Sequence, residues 1–259
     1  MQSYASELGR EVTHFAPVRY GHEGWRSKTY RNVKQNEKHI TADGVDEALE
    51  WLEFCCVGQD ADIVMSPVSV GLRNSQGFKG YGVVFSQFEA ALLIGGGKCS
   101  DFLRRFIIDL NGLLEVGYGL VTLMKGKKYP GVYFNDLTAS VYLSPEEKEN
   151  AKIWESEGSR FKTIVRGAYW GNILSRRHWG HNKARERRLI EALKRHCEEN
   201  VFWIDDEIVF FCAPFDIADQ RVTEKTSNEF TRKLHDIFVE NGLEVLGPQP
   251  KSKPVLFAL

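Results

Sequence analysis

The order of the hydrophobic patterns along the chain is the feature that most narrowly limits what it can fold into. In the first half, apolar residues recur at helical spacing in two segments and form strand-like runs in four others. The helical segments are 43–57 and 100–114, and the strand-like runs are 11–19, 61–72, 80–94 and 117–124. In chain order the elements are β-α-β-β-α-β, which is the split-βαβ arrangement. This order predicts an α+β fold built on a mainly antiparallel sheet.

The second half repeats this order approximately. Its predicted elements are a strand at 161–170, a helix at 176–199, a hairpin at 201–213, a helix that begins at a capping box at 226–229 and a short strand at 243–246. We therefore predict an N-terminal α+β half at 1–126, a connection with a bridging helix at 127–160 and a C-terminal half at 161–259. Two halves of this kind could share one continuous sheet.

The composition limits the cellular setting. A formal net charge of −1 over 259 residues argues against a surface that coats nucleic acid, and no apolar run approaches the roughly 20 residues of a membrane-spanning helix. The first residues lack the apolar and basic regions of a secretory signal. Five cysteines, an odd number without a Cys-x-x-Cys pair, are typical of thiols in a reducing compartment. We therefore expect a cytoplasmic protein that contacts neither membrane nor nucleic acid.

The motifs that commonly mark catalytic or metal sites are incomplete. The segment 92–100, LLIGGGKCS, imitates a phosphate-binding loop, but Leu92 and Cys99 stand where that loop needs a glycine and a hydroxyl residue. His178 and His181 have a spacing that could reach one metal ion, yet neither HExxH nor paired CxxC completes a set of ligands. The chain has no Gly-x-Ser-x-Gly nucleophile elbow. We therefore expect no catalytic residue, no metal and no cofactor.

Two segments carry concentrated charge. Five acids line the side of the predicted 43–57 helix that lies opposite its apolar stripe: Asp43, Asp46, Glu47, Glu50 and Glu53. That side is either a solvated face or a docking face for a basic partner. Conversely, 176–195 holds eight Arg or Lys residues against two Glu residues. This pattern indicates either a solvated helix or a surface for phosphate or an acidic partner.

The stretch 166–179, RGAYWGNILSRRHW, holds two tryptophans, a tyrosine and a WGN tripeptide within fourteen residues. Gly171 and Asn172 suit a turn that ends the predicted strand at 161–170. Trp170 is then expected to be buried at the joint between that strand and the following helix. In this interpretation the stretch is structural, although Arg166 or Asn172 could instead face a pocket.

The same stretch also resembles part of a known family. The matching residues are Gly167, Tyr169, Trp170, Gly171, Asn172, Leu174 and Ser175, with a GYG strand at 117–119 and the segment YPGVYFND at 129–136 before them. A strand of this type, followed by a helix and a short hairpin, is similar to bacterial immunity-type α+β proteins. These include the immunity protein 52 group and related type VI secretion immunity families. The resemblance covers roughly 117–240.

The resemblance implies a non-enzymatic antidote that binds and neutralises a cognate toxin or effector, a nuclease among the candidates. The acidic side of the 43–57 segment would then plug a basic cleft. Two other interpretations stay open. One is a hydrolase or transferase with a pocket between the two halves, whose candidate residues are Arg166, Asn172, His178 and His181. The other is a nucleic-acid-binding module that uses the basic helix at 176–195.

Overall fold

A computed structural model describes two kinds of region in this chain. It gives the backbone alone for strands between 14 and 88 and for 224. Both backbone and side chains are described at 99–114, 116–121, 160, 162–215 and 225–246. By its contacts the chain divides into two compact units, 1–96 with 127–136 and 97–126 with 137–259. The helix and strand predicted between 100 and 124 therefore belong to the second unit and not to an N-terminal half that ends at 126.

The first unit contains one antiparallel sheet. Its strands are β1 (His14–Gly21), β2 (Gly24–Ser27), β3 (Tyr30–Arg31), β4 (Leu49–Cys55), β5 (Val68–Ser75) and β6 (Tyr81–Phe88). The order across the sheet is β2-β1-β4-β5-β6, and β3 also pairs with β1. Each neighbouring pair is antiparallel. The predicted strands at 11–19, 61–72 and 80–94 therefore correspond to β1, β5 and β6.

The helix predicted at 43–57 is wrong over Leu49–Cys55, which is strand β4. The spacing of Leu49, Leu52 and Cys56 suits a helix, but the segment also contains Trp51 and Phe54, and aromatic residues favour strands. Pairing decides between the two, because β4 lies between β1 and β5 and exchanges hydrogen bonds with both. Among the described residues of the first unit, β4 therefore lies where the C-terminal part of the predicted helix was expected.

The second unit combines three helices with a four-stranded sheet among its described residues. Its elements are α1 (Cys99–Leu113), β7 (Tyr118–Val121), β8 (Ile164–Val165), β9 (Gly171–Ser175), a 3-10 turn (Arg176–His178), α2 (Lys183–Cys197), β10 (Val201–Trp203), β11 (Ile208–Cys212), α3 (Glu224–Glu240) and β12 (Glu244–Val245). The sheet order is β10-β11-β9-β7 with antiparallel neighbours, while β8 and β12 form a separate parallel pair.

Helices cover both faces of this sheet. All five residues of β11 are buried, and successive side chains of a strand point to opposite faces. On one face Phe210 stacks on Phe202, and Arg104 of α1 lies 4.9 Å above the Phe202 ring. On the other face Phe211 meets Phe238 of α3 edge-on, with ring centroids 6.0 Å apart. A sheet covered on both faces explains why the β11 sequence is a continuous apolar run.

The fold class is therefore confirmed: the protein is α+β with mainly antiparallel sheets. The described strands of the two units form separate sheets, and among these residues no continuous sheet joins them. The helix predicted at 176–199 is divided into the 3-10 turn and α2. Gly180, between them, adopts a left-handed φ of 69°. Asn182 then caps α2, because its side chain accepts hydrogen bonds from the backbone N–H groups of Ala184 and Arg185. The predicted hairpin at 201–213 is confirmed, whereas α3 begins at Glu224, before the predicted capping box.

Candidate functional site

The stretch 166–179 runs from a short strand into the middle of the sheet of the second unit. Trp170 is 5% exposed, which confirms the predicted burial. Gly171 and Asn172 do not form a turn, because they are the first residues of β9, which pairs with β11 on one side and β7 on the other. A Cβ at Gly171 would lie 3.1 Å from the Cβ of Val121 and 3.3 Å from a ring carbon of Phe210. The glycine is thus explained by close packing and not by turn geometry.

Asn172 fixes the chain where it enters β9. Its side-chain Nδ2 donates to the carbonyl oxygen of Tyr169 at 3.0 Å, and the backbone N–H of Tyr169 donates to Oδ1 at 3.2 Å. The residue is fully buried, so its amide replaces the backbone partners that an irregular segment lacks. Asn172 therefore has a positioning role in the fold rather than a place in an open pocket.

Tyr118 ties β7 to the segment before β9. Its hydroxyl accepts a hydrogen bond from the backbone N–H of Arg166 at 3.0 Å, and its ring lies 5.5 Å from that of His178. Burial raises the pKa of Tyr118 far above its ordinary value, and the neighbouring Tyr169 raises it further, while Arg166 acts in the opposite direction. The phenol consequently stays protonated at neutral pH. The sequence places Tyr118 only within the GYG segment at 117–119, and its contact with Arg166, 48 positions away, was not predicted.

The four residues considered for an enzymatic pocket occupy different environments. Arg166, Asn172 and His178 are buried, whereas His181 is exposed. The Nδ1 atom of His178 accepts a hydrogen bond from the backbone N–H of Ser175 at 3.1 Å. The same atom lies 3.1 Å from the hydroxyl oxygen of Ser175. Two of the four side chains, Asn172 and His178, are thus bound to backbone groups only three residues away.

Metal-ligand chemistry has little support where side chains are described. No group of three or more His, Cys, Asp or Glu residues in those regions is placed to hold a metal ion. The Nε2 atom of His196 lies 2.9 Å from the carbonyl oxygen of Phe230, and the two rings stack with centroids 4.5 Å apart. Burial lowers the pKa of His196, the carbonyl of Phe230 opposes that effect, and Lys233 lowers the pKa further.

The cysteines of the second unit are buried thiols. Cys99, Cys197 and Cys212 are free and buried. Burial raises the pKa of Cys197 to about 12 and also raises that of Cys212, which lies near the other two thiols. Because the thiolate is the reactive form, a raised pKa keeps Cys197 and Cys212 in the less reactive thiol form at neutral pH.

The acids proposed to contact a partner are only partly within the described structure. Glu50 and Glu53 lie in strand β4, so the helical spacing that grouped them with the others does not apply. Asp43, Asp46 and Glu47 lie outside the described residues. The glycine-rich segment at 95–97 also lies outside them.

Helix α2 presents a basic face to solvent. Its inward side consists of Leu189, Ile190, Leu193 and Cys197. Its exposed side carries five cations, Lys183, Arg187, Arg188, Lys194 and Arg195, which we call the α2 basic face. The exposed acid between them, Glu191, pairs with Arg187 at 2.9 Å.

The other basic residues of 176–195 have different roles. Arg176 pairs with Glu186 at 3.0 Å and with Glu207 at 3.6 Å. Arg185 donates to the backbone carbonyls of Asn241 and Gly242, which follow α3. These contacts fasten α2 to its neighbours. Arg177, in the 3-10 turn before α2, is exposed, so solvent reaches it as well as the α2 basic face.

An exposed tryptophan lies beside the first turn of α2. Trp203 is 37% exposed, and the guanidinium of Arg176 lies 5.4 Å above its ring. Behind it Trp179 is fully buried, meets Trp203 edge-on at 6.4 Å and donates its indole N–H to Glu186 of α2 at 3.2 Å. From the sequence, Trp203 is predicted only to be part of a hairpin. Its position next to a basic helix depends on how the hairpin packs.

Comparisons with protein-family models, curated proteins and solved structures found no match to this chain. No helix within the described regions is both long and apolar enough to cross a membrane.

Proposed function

We propose that this chain is an immunity protein, a non-enzymatic cytoplasmic antidote that binds and neutralises a cognate toxin or effector of a type VI secretion or polymorphic toxin system. The observation that carries the proposal is the use of the polar side chains within 166–178. Asn172 and His178 both bind nearby backbone, and the hydroxyl of Tyr118 accepts the backbone N–H of Arg166. The stretch that resembles immunity proteins therefore has the character of a rigid frame.

A rigid frame suits an inhibitor that must present a preformed surface. Binding costs less when the surface does not have to be ordered on contact, because side-chain and loop entropy is not lost at that moment. Burial raises the pKa of Cys197 and Cys212, so these thiols are protonated at neutral pH, which argues against nucleophilic catalysis by them. Protein inhibitors of this kind act by stoichiometric blockage, so no reacting group is required.

The proposal is tested by co-expression with the product of the gene immediately upstream in the native genome, which should be a toxin. Growth should be restored, and the purified toxin should be inhibited only when this chain reaches an equimolar amount. Pull-down with mass spectrometry from the native organism should recover the same toxin. Protection at strongly substoichiometric amounts, or turnover of a small substrate by the purified chain, would overturn the proposal.

A matched variant separates the antidote from an enzyme. His181 is exposed, so His181→Ala should leave the fold intact. Of the four residues considered for a catalytic pocket it is the one that solvent reaches most freely. An antidote should protect equally well with alanine at this position, whereas an enzyme that uses His181 should lose its activity.

A further inference from the structure

We infer that the α2 basic face, together with Trp203, is the surface that binds an acidic patch on a partner protein. This inference rests on the proposed function, since it names the surface through which the antidote would act. It differs from the expectation that an acidic helix docks a basic cleft, because the acids of that segment within the described chain lie in a strand.

Part of the charge of the α2 basic face does not stabilise the helix. Arg187 pairs with Glu191, and Lys194 and Arg195 lie in the last turn, where cations favour the helix dipole. Lys183, however, opens the helix, where a cation opposes that dipole, and Arg187 one turn later repels it. Within the described regions, Lys183, Arg188 and Lys194 have no ion-pair partner. At its N-terminal end the face therefore keeps like charges together at a cost to the helix, and an acidic partner would remove that cost.

Trp203 supplies the apolar part of the surface. It is 37% exposed, the guanidinium of Arg176 lies 5.4 Å from its ring centroid, and the buried Trp179 meets it edge-on. Tryptophan and arginine are the residue types that most often dominate the binding energy of protein interfaces. The hydrogen bond from Trp179 to Glu186 holds this aromatic group beside the first turn of α2.

The shape of the charged surface favours a protein over a nucleic acid. Exposed acids bound it at both ends, Glu198 and Glu199 after α2 and 205–207 in the hairpin that follows Trp203. A phosphate backbone running along the helix would meet these acids, whereas a compact acidic patch would not.

The test compares two double charge reversals of equal size. Arg188→Glu with Arg195→Glu reverses the α2 basic face, and Arg104→Glu with Arg105→Glu reverses two exposed arginines of α1, on the opposite side of the sheet. Binding is measured by fluorescence anisotropy with a labelled 20-residue oligoglutamate peptide and a labelled 20-base-pair DNA duplex. Each titration is made at low and at physiological salt.

The wild-type chain should bind the peptide more tightly than the duplex. The α2 reversal should weaken peptide binding about tenfold at low salt, because two attractions become repulsions, and the effect should shrink as salt rises. The α1 reversal should change it little. Equal peptide affinity in the two reversals would overturn the inference. Tighter binding to the duplex, lost in the α2 reversal, would overturn it in favour of a nucleic-acid surface.

The toxin protection assay gives a second reading. The α2 reversal should lose protection and the α1 reversal should keep it, with far-UV circular dichroism confirming that both are folded. If the wild-type chain protects and the α2 reversal protects equally well, this inference fails while the proposed function stands. If the wild-type chain does not protect at all, the proposed function fails, and the peptide titration still decides whether the surface binds acids.

Discussion

The two buried tryptophans of the second unit should respond differently to the same substitution. Trp170 and Trp179 are both buried, but their indole N–H groups have different surroundings. The N–H of Trp179 donates to the carboxylate of Glu186 at 3.2 Å. The N–H of Trp170 has no acceptor in the described part of the chain. Replacement by phenylalanine removes the N–H in each case and leaves a ring of similar character.

The magnitude follows from these two environments. Trp179→Phe loses a hydrogen bond to a charged group, which contributes about 1.5–3 kcal/mol. The low end applies, because Glu186 is partly exposed and keeps its bond to Arg176. Trp170→Phe removes an unpaired buried donor whose burial costs about 1–3 kcal/mol. Taking the low end of both, Trp179→Phe should lower the free energy of unfolding by about 2.5 kcal/mol more than Trp170→Phe does.

Guanidinium unfolding followed by far-UV circular dichroism measures this difference, since that signal does not depend on the tryptophans removed. The comparison is valid when both variants have the same denaturant slope. Trp170→Ala serves as the control for burial and should cost about 3–5 kcal/mol. Equal losses for the two phenylalanine variants, or a larger loss at Trp170, would show that the hydrogen-bonding argument is wrong.

Three further predictions concern backbone strain, the buried amide and pH. Gly180 and Gly242 both have φ near 70°, but a Cβ at 180 would have no neighbour within 4 Å, whereas a Cβ at 242 would lie 2.8 Å from a guanidinium nitrogen of Arg185. Gly180→Ala should therefore lower the free energy of unfolding by about 1 kcal/mol, and Gly242→Ala should lower it more. Equal losses in denaturant titrations would refute the steric reasoning. Asn172→Ala leaves the Tyr169 backbone groups unpaired and should cost about 2–4 kcal/mol, so an unchanged melting temperature contradicts the role assigned to the amide. Burial lowers the pKa of His196, so the folded state favours the neutral ring. The contribution of His196 to stability is therefore present above pH 6.5 and is lost as pH falls through the lowered pKa. His196→Gln should flatten that decline in melting temperature, measured by thermal unfolding across this pH range.

Part of the candidate site follows from residue type alone. The burial of Trp170 is expected from its size and its apolar neighbours, and the structure confirms it. The partner of the Arg166 backbone, Tyr118, and the placement of Trp203 beside α2 depend on contacts between distant segments. No pattern near Trp203 contains that information, so the surface proposed here to bind a partner was not predictable from the sequence.

Local pattern was sufficient for the elements whose residues are compatible with one conformation. Helix α1 was predicted within one residue of each end, and the hairpin of β10 and β11 was predicted because two apolar runs flank the acids at 205–207. In contrast, contacts between distant segments determine that Leu49–Cys55 is a strand and that Gly171 opens β9. In these segments local spacing is compatible with more than one conformation. The choice depends on hydrogen bonds to strands that are distant in the chain, which stabilise one conformation only after the sheet has assembled.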